Sequence, residues 1–255
     1  MITKTDAIVL KSMRYRDTSK IVTFYSRRYG KIKGIAKGAR DTKSKFGGAL
    51  EPISLVSLVL YKKEHREIQF ISQCDFVKRY RSIHTNISKI AVGMAILELL
   101  QKLTHDEEEN IPLFNLVAST LDVLDEADRN GMNLLRAFQL RLGHIFGYGV
   151  SLDRCISCSR SVEEMKEEEG LFFIAPKGAL RCEECAAKEH LSSAAVKLTV
   201  GGVRMLQRFS ADPLESLTSI DVAERTGNEI DETLRLYLQY HFEGMKPLRS
   251  LEVLQ

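Results

Sequence analysis

Two periodicities divide the chain. In the first 80 residues the apolar positions come in short runs rich in Val, Ile, Leu, Phe and Tyr, at residues 5–11, 20–26, 31–36, 53–61 and 67–73. Residues 54–60 alternate in part, as a half-buried strand does. Arg28-Tyr29-Gly30 and the polar stretch 38–48 supply breaks. Near residue 84 the spacing becomes helical: Ile83, Ile87, Ile90, Met94 and Leu97 recur every three or four residues. Leu113, Leu116, Val117, Thr120, Leu121 and Leu124 repeat the pattern, with Pro112 near a first-turn position. Asn133 reads as the cap of a helix carrying Leu134, Leu135, Phe138, Leu142 and Ile145, ended near Gly147 and Gly149. A cysteine-rich insert follows at about 150–190. Ser192 reads as the cap of a helix with Val196, Val200, Val203 and Leu206 on one face, and a last helix covers roughly 221–243. The acidic runs 105–110 and 163–169 read as solvated loops. The expected domains are therefore 1–80, a small barrel of strands, and 81–255, a helical domain interrupted by the insert.

Composition narrows the class. Of 255 residues 44% are hydrophobic, enough for a real core. No apolar run approaches the roughly 20 residues that cross a bilayer, and the first twelve residues lack a signal-peptide pattern. A cytoplasmic protein is expected, without a membrane or small-molecule partner. The net charge of +3 conceals an asymmetry. Residues 1–80 hold 18 Lys and Arg against 7 Asp and Glu, an excess of 11, while the remainder holds 19 against 27, a deficit of 8. A concentrated positive field on an otherwise acidic chain points to a polyanionic partner.

Four of the five cysteines form two CxxC pairs, Cys155/Cys158 and Cys182/Cys185. In a reducing compartment this spacing indicates zinc before disulfide. Four thiolates close the tetrahedral shell and leave no position for water, so the zinc is structural. The competing reading is four reduced thiols without a metal. Between the pairs, residues 171–174 and 179–180 flank Ala175-Pro176-Lys177-Gly178, a ribbon-like hairpin. His190 is set aside as a ligand, and Cys74 is expected to be a core thiol.

Residues 10–45 carry twelve cations, Lys11, Arg14, Arg16, Lys20, Arg27, Arg28, Lys31, Lys33, Lys37, Arg40, Lys43 and Lys45, against Asp17 and Asp41 alone. Phosphates reward such a density through counterion release. Among the interleaved aromatics, Phe24 and Phe46 read as core, and Tyr15 and Tyr29 as candidates for base stacking. No base-reading motif is present, so binding with little sequence preference is expected. A basic five-stranded barrel is, by analogy, an OB-fold. The fold class is thus α+β: an N-terminal OB-fold barrel, then a helical domain carrying a small zinc-binding insert with four cysteine ligands. No Walker A loop or HExxH motif occurs, and Asp122 and Asp125 fit a solvated helix surface. A non-enzymatic protein is expected; the alternative is a zinc-ribbon enzyme that processes nucleic acid.

Nearly end to end, the chain resembles the RecO family of bacterial recombination mediators. The matching phrases include Lys4-Thr5-Asp6-Ala7-Ile8-Val9-Leu10, Asp17 with Lys20-Ile21-Val22-Thr23, Gly30-Lys31-Ile32, Ala36-Lys37-Gly38-Ala39-Arg40, Ser44-Lys45-Phe46 and Leu50-Glu51-Pro52. Phe138-Gln139-Leu140-Arg141-Leu142, Gly147-Tyr148, Leu152-Asp153-Arg154-Cys155, the second CxxC pair, Tyr240-His241-Phe242 and Leu248-Arg249-Ser250 continue it. The resemblance implies an OB-fold that binds single- and double-stranded DNA and a helical body with a zinc-binding insert. It implies annealing of complementary strands, work with RecR and often RecF to load RecA onto DNA coated by single-strand-binding protein (SSB), and binding of the acidic SSB tail. It places Lys37 and Arg40 foremost among the DNA contacts and Arg136 and Arg141 at the tail, while the charge density itself makes Lys11, Arg14, Arg27, Arg28, Lys31, Lys33, Lys43 and Lys45 further DNA-contact candidates. A nucleoid-associated location follows. Two departures fall in the insert: Ser159 stands where many relatives have glycine, and Lys177-Gly178 stands near an expected Gly-Gly.

Overall fold

The computed structural model describes residues 1–167, 169–188 and 194–254. His190 and Ser192 lie outside the described residues. By its contacts the chain forms two units, Met1–Glu126 with the segment from Leu248 onward, and Ala127–Pro247.

In the first unit, β1 (Ile2–Tyr15), β2 (Ser19–Ser26), β3 (Gly30–Ala36), β4 (Ser54–Tyr61) and β5 (Ile68–Arg79) close a barrel in the order β1-β2-β3-β5-β4. All neighbours are antiparallel except β3 and β5. That order and the single parallel pair make it the expected OB-fold. Period-2 alternation aims one face of each strand inward. Val56, Leu58 and Leu60 of β4 are buried, and they meet Val22, Phe24, Ile32 and Ile71 in the barrel core. Cys74 and Phe46 are buried there too, as expected. Strand β1 serves two neighbours, β4 along its first half and β2 along its second, and a bulge between Val9 and Lys11 lies where the pairing with β2 shifts register.

Gly30 shows how the sequence constrains the β2–β3 turn. Its φ is +57°, and a Cβ placed there would sit 1.8 Å from the Glu108 carbonyl oxygen. Backbone cannot yield as a flexible side chain does, and the left-handed conformation adds its own cost for an L-residue. Gly30→Ala is expected to lower stability by about 2–4 kcal/mol, read as a fall in the thermal unfolding midpoint.

Three helices complete this unit: α1 (Arg81–Thr85), α2 (Ile87–Leu103) and α3 (Ile111–Glu126). Asn86 caps α2, its Oδ1 accepting from the Ser88 and Lys89 amides at 3.0 and 3.2 Å. At the other end, Lys31 Nζ donates to the Gln101 and Thr104 carbonyls, a cation against the negative end of α2. The acidic run 105–110 is not merely solvated. Asp106 pairs with Lys31 at 3.5 Å and Lys33 at 3.2 Å, and Glu107 with Lys62 at 2.9 Å. The last segment returns to α2, where Arg249 and Ser250 amides donate to the Glu98 carboxylate.

The second unit holds α4 (Gly131–Ile145), β6 (Ser151–Cys155), β7 (Gly170–Ile174), β8 (Ala179–Cys182), α5 (Glu183–Lys188), β9 (Ala195–Thr199), α6 (Val200–Ala211), α7 (Leu214–Leu217) and α8 (Glu224–His241). Its sheet runs β6-β8-β7-β9, with β7 and β8 forming the expected hairpin. Helix α4 is the hub, packed on α6, α7 and α8. Two expectations are corrected here. Val196 lies on β9, paired with Phe173, and the helix begins only at Val200; Thr199 caps it, its Oγ1 accepting from the Gly202 amide at 3.0 Å. Asn133 sits inside α4, buried, donating to the Leu217 and Ile220 carbonyls at 3.1 and 2.9 Å rather than capping. Among the described residues no helix is long and apolar enough to cross a membrane.

Candidate nucleic-acid interface and metal centre

The ten barrel cations singled out from the sequence separate by their partners. Lys11, Arg14, Arg27, Arg28, Lys37, Arg40, Lys43 and Lys45 are exposed, and none pairs with a carboxylate of a described residue. Lys31 and Lys33 both face Asp106, and Lys31 is also spent on the end of α2. Burial opposes ionisation of the Asp106 carboxyl, but the Lys33 hydrogen bond and the Lys33 and Lys31 charges bring its pKa below the usual carboxylate range. These two lysines therefore hold the barrel to its own acidic loop.

The exposed cations are not confined to one end of the barrel. The tip of the β1–β2 hairpin and the β3–β4 loop are tied together: Arg40 Nη1 donates to the Arg16 and Asp17 carbonyls at 3.3 and 2.9 Å, and the Arg40 amide donates to Thr18 O at 2.9 Å. That group includes Arg14, whose strand partner is Lys20. Arg27 and Arg28 sit in the β2–β3 turn, at the other end of β2. Between the loop and β5, Lys45 Nζ donates to Ser72 O at 2.6 Å, and Lys37 Nζ lies 5.9 Å from the Phe70 ring centre. Lys20 is paired with Glu51 at 2.6 Å.

The two stacking candidates differ. Tyr15 is exposed, with the Arg16 guanidinium 5.4 Å from its ring centre. Tyr29 is half-buried against the barrel core, its hydroxyl 2.7 Å from Thr3 Oγ1 and its ring flanked by Lys62 at 5.3 Å and Arg28 at 5.8 Å. Sequence reading passed over Tyr61 and Phe70, directly paired across β4 and β5 with ring centres 5.7 Å apart. The signal for Tyr61 was the alternation along β4, which places it on the outer face with Leu55, Ser57 and Val59.

Both arginines considered for an acidic tail have internal partners. Arg136 is 8% exposed and grips Asp231 with two bonds of 2.8 Å, while Nη1 donates to Asn133 Oδ1 at 3.0 Å. Arg141 donates to the Phe209 carbonyl at 3.3 Å and to the Asp212 carbonyl, closing the end of α6. Desolvation lowers its pKa. Arg136 is thus paired with a carboxylate, whereas Arg141 meets only backbone carbonyls.

The four insert cysteines converge. Cys155 ends β6, Cys182 ends β8 and Cys185 lies on α5, so the sheet and its following helix bring distant pairs together. Their sulfurs all lie within 4.8 Å of one another, and those of Cys158 and Cys182 are 3.8 Å apart. A tetrahedron of ~2.3 Å Zn–S bonds has edges of about 3.8 Å, so the donor set fits zinc. Burial works against ionisation of Cys155, yet the Cys182, Cys158 and Ser157 amides aimed at its sulfur lower its pKa to about 6. The Cys182 thiol is raised by burial, and Cys185 is pushed up to about 12 by its bond to Cys182 and by desolvation. Metal binding here releases protons. Ser159 has φ +62° and Gly178 φ +56°, a left-handed conformation that glycine adopts without strain. Among the described residues this is the one group of three or more metal-ligating side chains close enough to share an ion. Asp122 is paired with Lys78 at 2.9 Å, and Asp125 Oδ1 accepts from the Ile83 amide at 3.0 Å.

Comparison with known proteins gives one answer across the chain. Residues 1–80 match the family described as Recombination protein O N terminal, and residues 84–252 match Recombination protein O C terminal. Proteins named DNA repair protein RecO are similar, some of them over almost the full length. The one from Chlorobium limicola is 31% identical over 257 residues, covering 99% of this chain and 97% of that protein. The one from Salinibacter ruber is 31% identical over 253 residues, covering 99% and 93%. The Chlorobaculum parvum protein is 38% identical over 182 residues, 70% of each.

Proposed function

The chain belongs to the RecO family of DNA repair and recombination proteins, and on that premise we propose that it is a non-enzymatic mediator that binds DNA and anneals complementary strands. The observation that carries this reading is the barrel's set of eight exposed cations with no carboxylate partner. Annealing requires two polyanions to meet, and a cationic barrel lowers their repulsion. The overall deficit of 8 charges elsewhere in the chain disfavours DNA on other surfaces.

In this reading Lys37 and Lys43 in the β3–β4 loop, Lys11 and Arg14 on β1, and Arg27 and Arg28 in the β2–β3 turn contact phosphate. Arg40 and Lys45 fix the β3–β4 loop that presents Lys37 and Lys43 and add their own exposed charges. Cys155, Cys158, Cys182 and Cys185 hold one zinc, whose contribution is structural. The partners are single- and double-stranded DNA, RecR, the SSB tail and, in some settings, RecF; the product is RecA loaded on SSB-coated strands. Holding DNA and SSB on one protein raises their effective concentration without a covalent step. Asp231 holds Arg136, so Arg141, bonded only to backbone carbonyls, is the better placed of the two for the tail. The location is the nucleoid within the cytoplasm.

A fluorescence annealing assay on SSB-coated complementary oligonucleotides, with and without RecR, tests this. The pure chain is expected to anneal naked strands without nucleotide or magnesium, and RecR to alter its action on coated ones. Magnesium-dependent strand cleavage by the pure chain, or no acceleration of annealing, would overturn the reading.

A further inference from the structure

The outer face of the barrel carries an apolar row that the phosphate-contacting cations leave unexplained. Strand registers place Ile35 opposite Phe70, Phe70 opposite Tyr61, and Tyr61 opposite Ile2, on β3, β5, β4 and β1 in turn. All four alternate with core residues and so point outward. Ile2 is 62% exposed and Tyr61 41%, and Ile68, the preceding outward residue on β5, is 38% exposed. The Tyr61 and Phe70 planes are inclined at 49°, so the two rings do not stack on each other.

Lysines border this row. Lys4 is the next outward position on β1 after Ile2; Lys33, which precedes Ile35 on β3, is already met by Asp106 at 3.2 Å and adds no free charge. Lys37 lies 5.9 Å from the Phe70 ring centre, and Lys45 is anchored to Ser72, the next outward residue on β5. In the β4–β5 loop Glu64 and Glu67 equal Lys63 and Arg66 in number, and Lys62 pairs with Glu107 at 2.9 Å. An exposed Tyr61 ring beside the half-buried Phe70 and Ile35, edged by cations, suits a ligand with flat apolar rings on a polyanionic thread.

We infer that Ile35, Phe70, Tyr61 and Ile2 form a base-stacking platform for unpaired nucleotides, which gives the barrel a preference for single strands over duplex. Duplex DNA hides its base faces in its own stack and offers the row nothing but phosphate. The inference rests on the DNA-binding reading above and adds the residues that tell the two forms of DNA apart. A mediator that binds unpaired bases by their faces also releases them readily to a complementary strand, because the Watson–Crick edges stay open.

Two measurements on the full chain test it. The unsubstituted protein is titrated with oligothymidylate and with an abasic oligonucleotide of the same length, which keeps the phosphates and lacks the rings. Abasic binding is expected to be at least about tenfold weaker. Equal affinities overturn the platform. In the second, Tyr61→Thr with Phe70→Thr is expected to reduce single-strand affinity by about tenfold or more, with the salt slope unchanged and duplex affinity within about twofold. The conservative Phe70→Tyr is expected to keep single-strand affinity. Equal losses on both DNA forms, or a change of oligomeric state with single-strand affinity retained, overturn it and mark the row as a fold element or a protein contact. If the unsubstituted chain binds no DNA at all, the DNA-binding reading itself fails; salt-sensitive binding indifferent to bases fails the platform alone.

Discussion

Cys182→Ser is expected to abolish metal binding and to lower the unfolding midpoint of the chain by more than about 10 °C. Unsubstituted protein should contain one zinc per chain by elemental analysis. Cys182 is 3% exposed at the end of β8, and the Cys182 amide donates to Cys155 Sγ at 3.4 Å. Losing one ligand breaks the closed shell and leaves three converging sulfurs that repel when ionised. Structural zinc is worth about 10–16 kcal/mol in small peptides at neutral pH. Here the β6–β9 sheet already holds two of the sulfurs, so a part of that, on the order of 4 kcal/mol or more, should appear as lost stability. Prolonged chelation should reproduce the effect, with earliest proteolytic cleavage within the 150–190 insert. Cys74→Ala serves as the contrast. Cys74 lies in the barrel core, where burial pushes its pKa up to about 12, and its loss should leave zinc content unchanged. A Cys182→Ser variant or a chelated, metal-free chain that melts as the unsubstituted protein does would defeat the structural-zinc assignment.

How much of this was legible in the sequence depended on the range of the interaction. Strand alternation and CxxC spacing are local: β2, β3, β4 and the β7–β8 hairpin came out where the pattern placed them, while β1 and β5 run several residues further. The β9–α6 junction did not. Val196, Val200, Val203 and Leu206 keep a helical spacing straight through a strand-to-helix boundary, and what decides the matter is pairing with β7, more than twenty residues earlier in sequence. Asn133 had the residue type of a cap, but Leu217 and Ile220 supplied carbonyls from α7 and beyond. Charge counting failed in the same way. Lys31 and Lys33 look free in their own segment, yet their partner Asp106 is 73 residues or more away. Arg136 looked available one turn before Arg141 until Asp231, 95 residues on, took both its outward bonds. Density of charge in sequence thus located the basic domain, and only tertiary pairing separated the cations that stay free from those that assemble the fold.

That separation yields a second large effect. Lys11, Arg14, Lys37 and Lys43 replaced together by Gln are expected to weaken single-strand binding by on the order of a thousandfold at low salt, and to make the slope of log K against log salt shallower by about 3 units. All four are exposed and none has a carboxylate partner among the described residues, so nothing internal competes for their charge. Surface substitutions of this kind shift stability by about 0.5 kcal/mol or less each, so the fold should persist. Lys33→Gln supplies the internal comparison: its charge is already met by Asp106 at 3.2 Å, and both affinity and slope should change little. Lys31→Gln should instead appear as lost stability, because its ammonium closes the end of α2. Salt titrations of fluorescent oligonucleotide binding, paired with thermal melts, read all three. A slope unchanged in the fourfold variant, or lost equally in Lys33→Gln, would show that free and paired cations do not divide the work as the geometry assigns it.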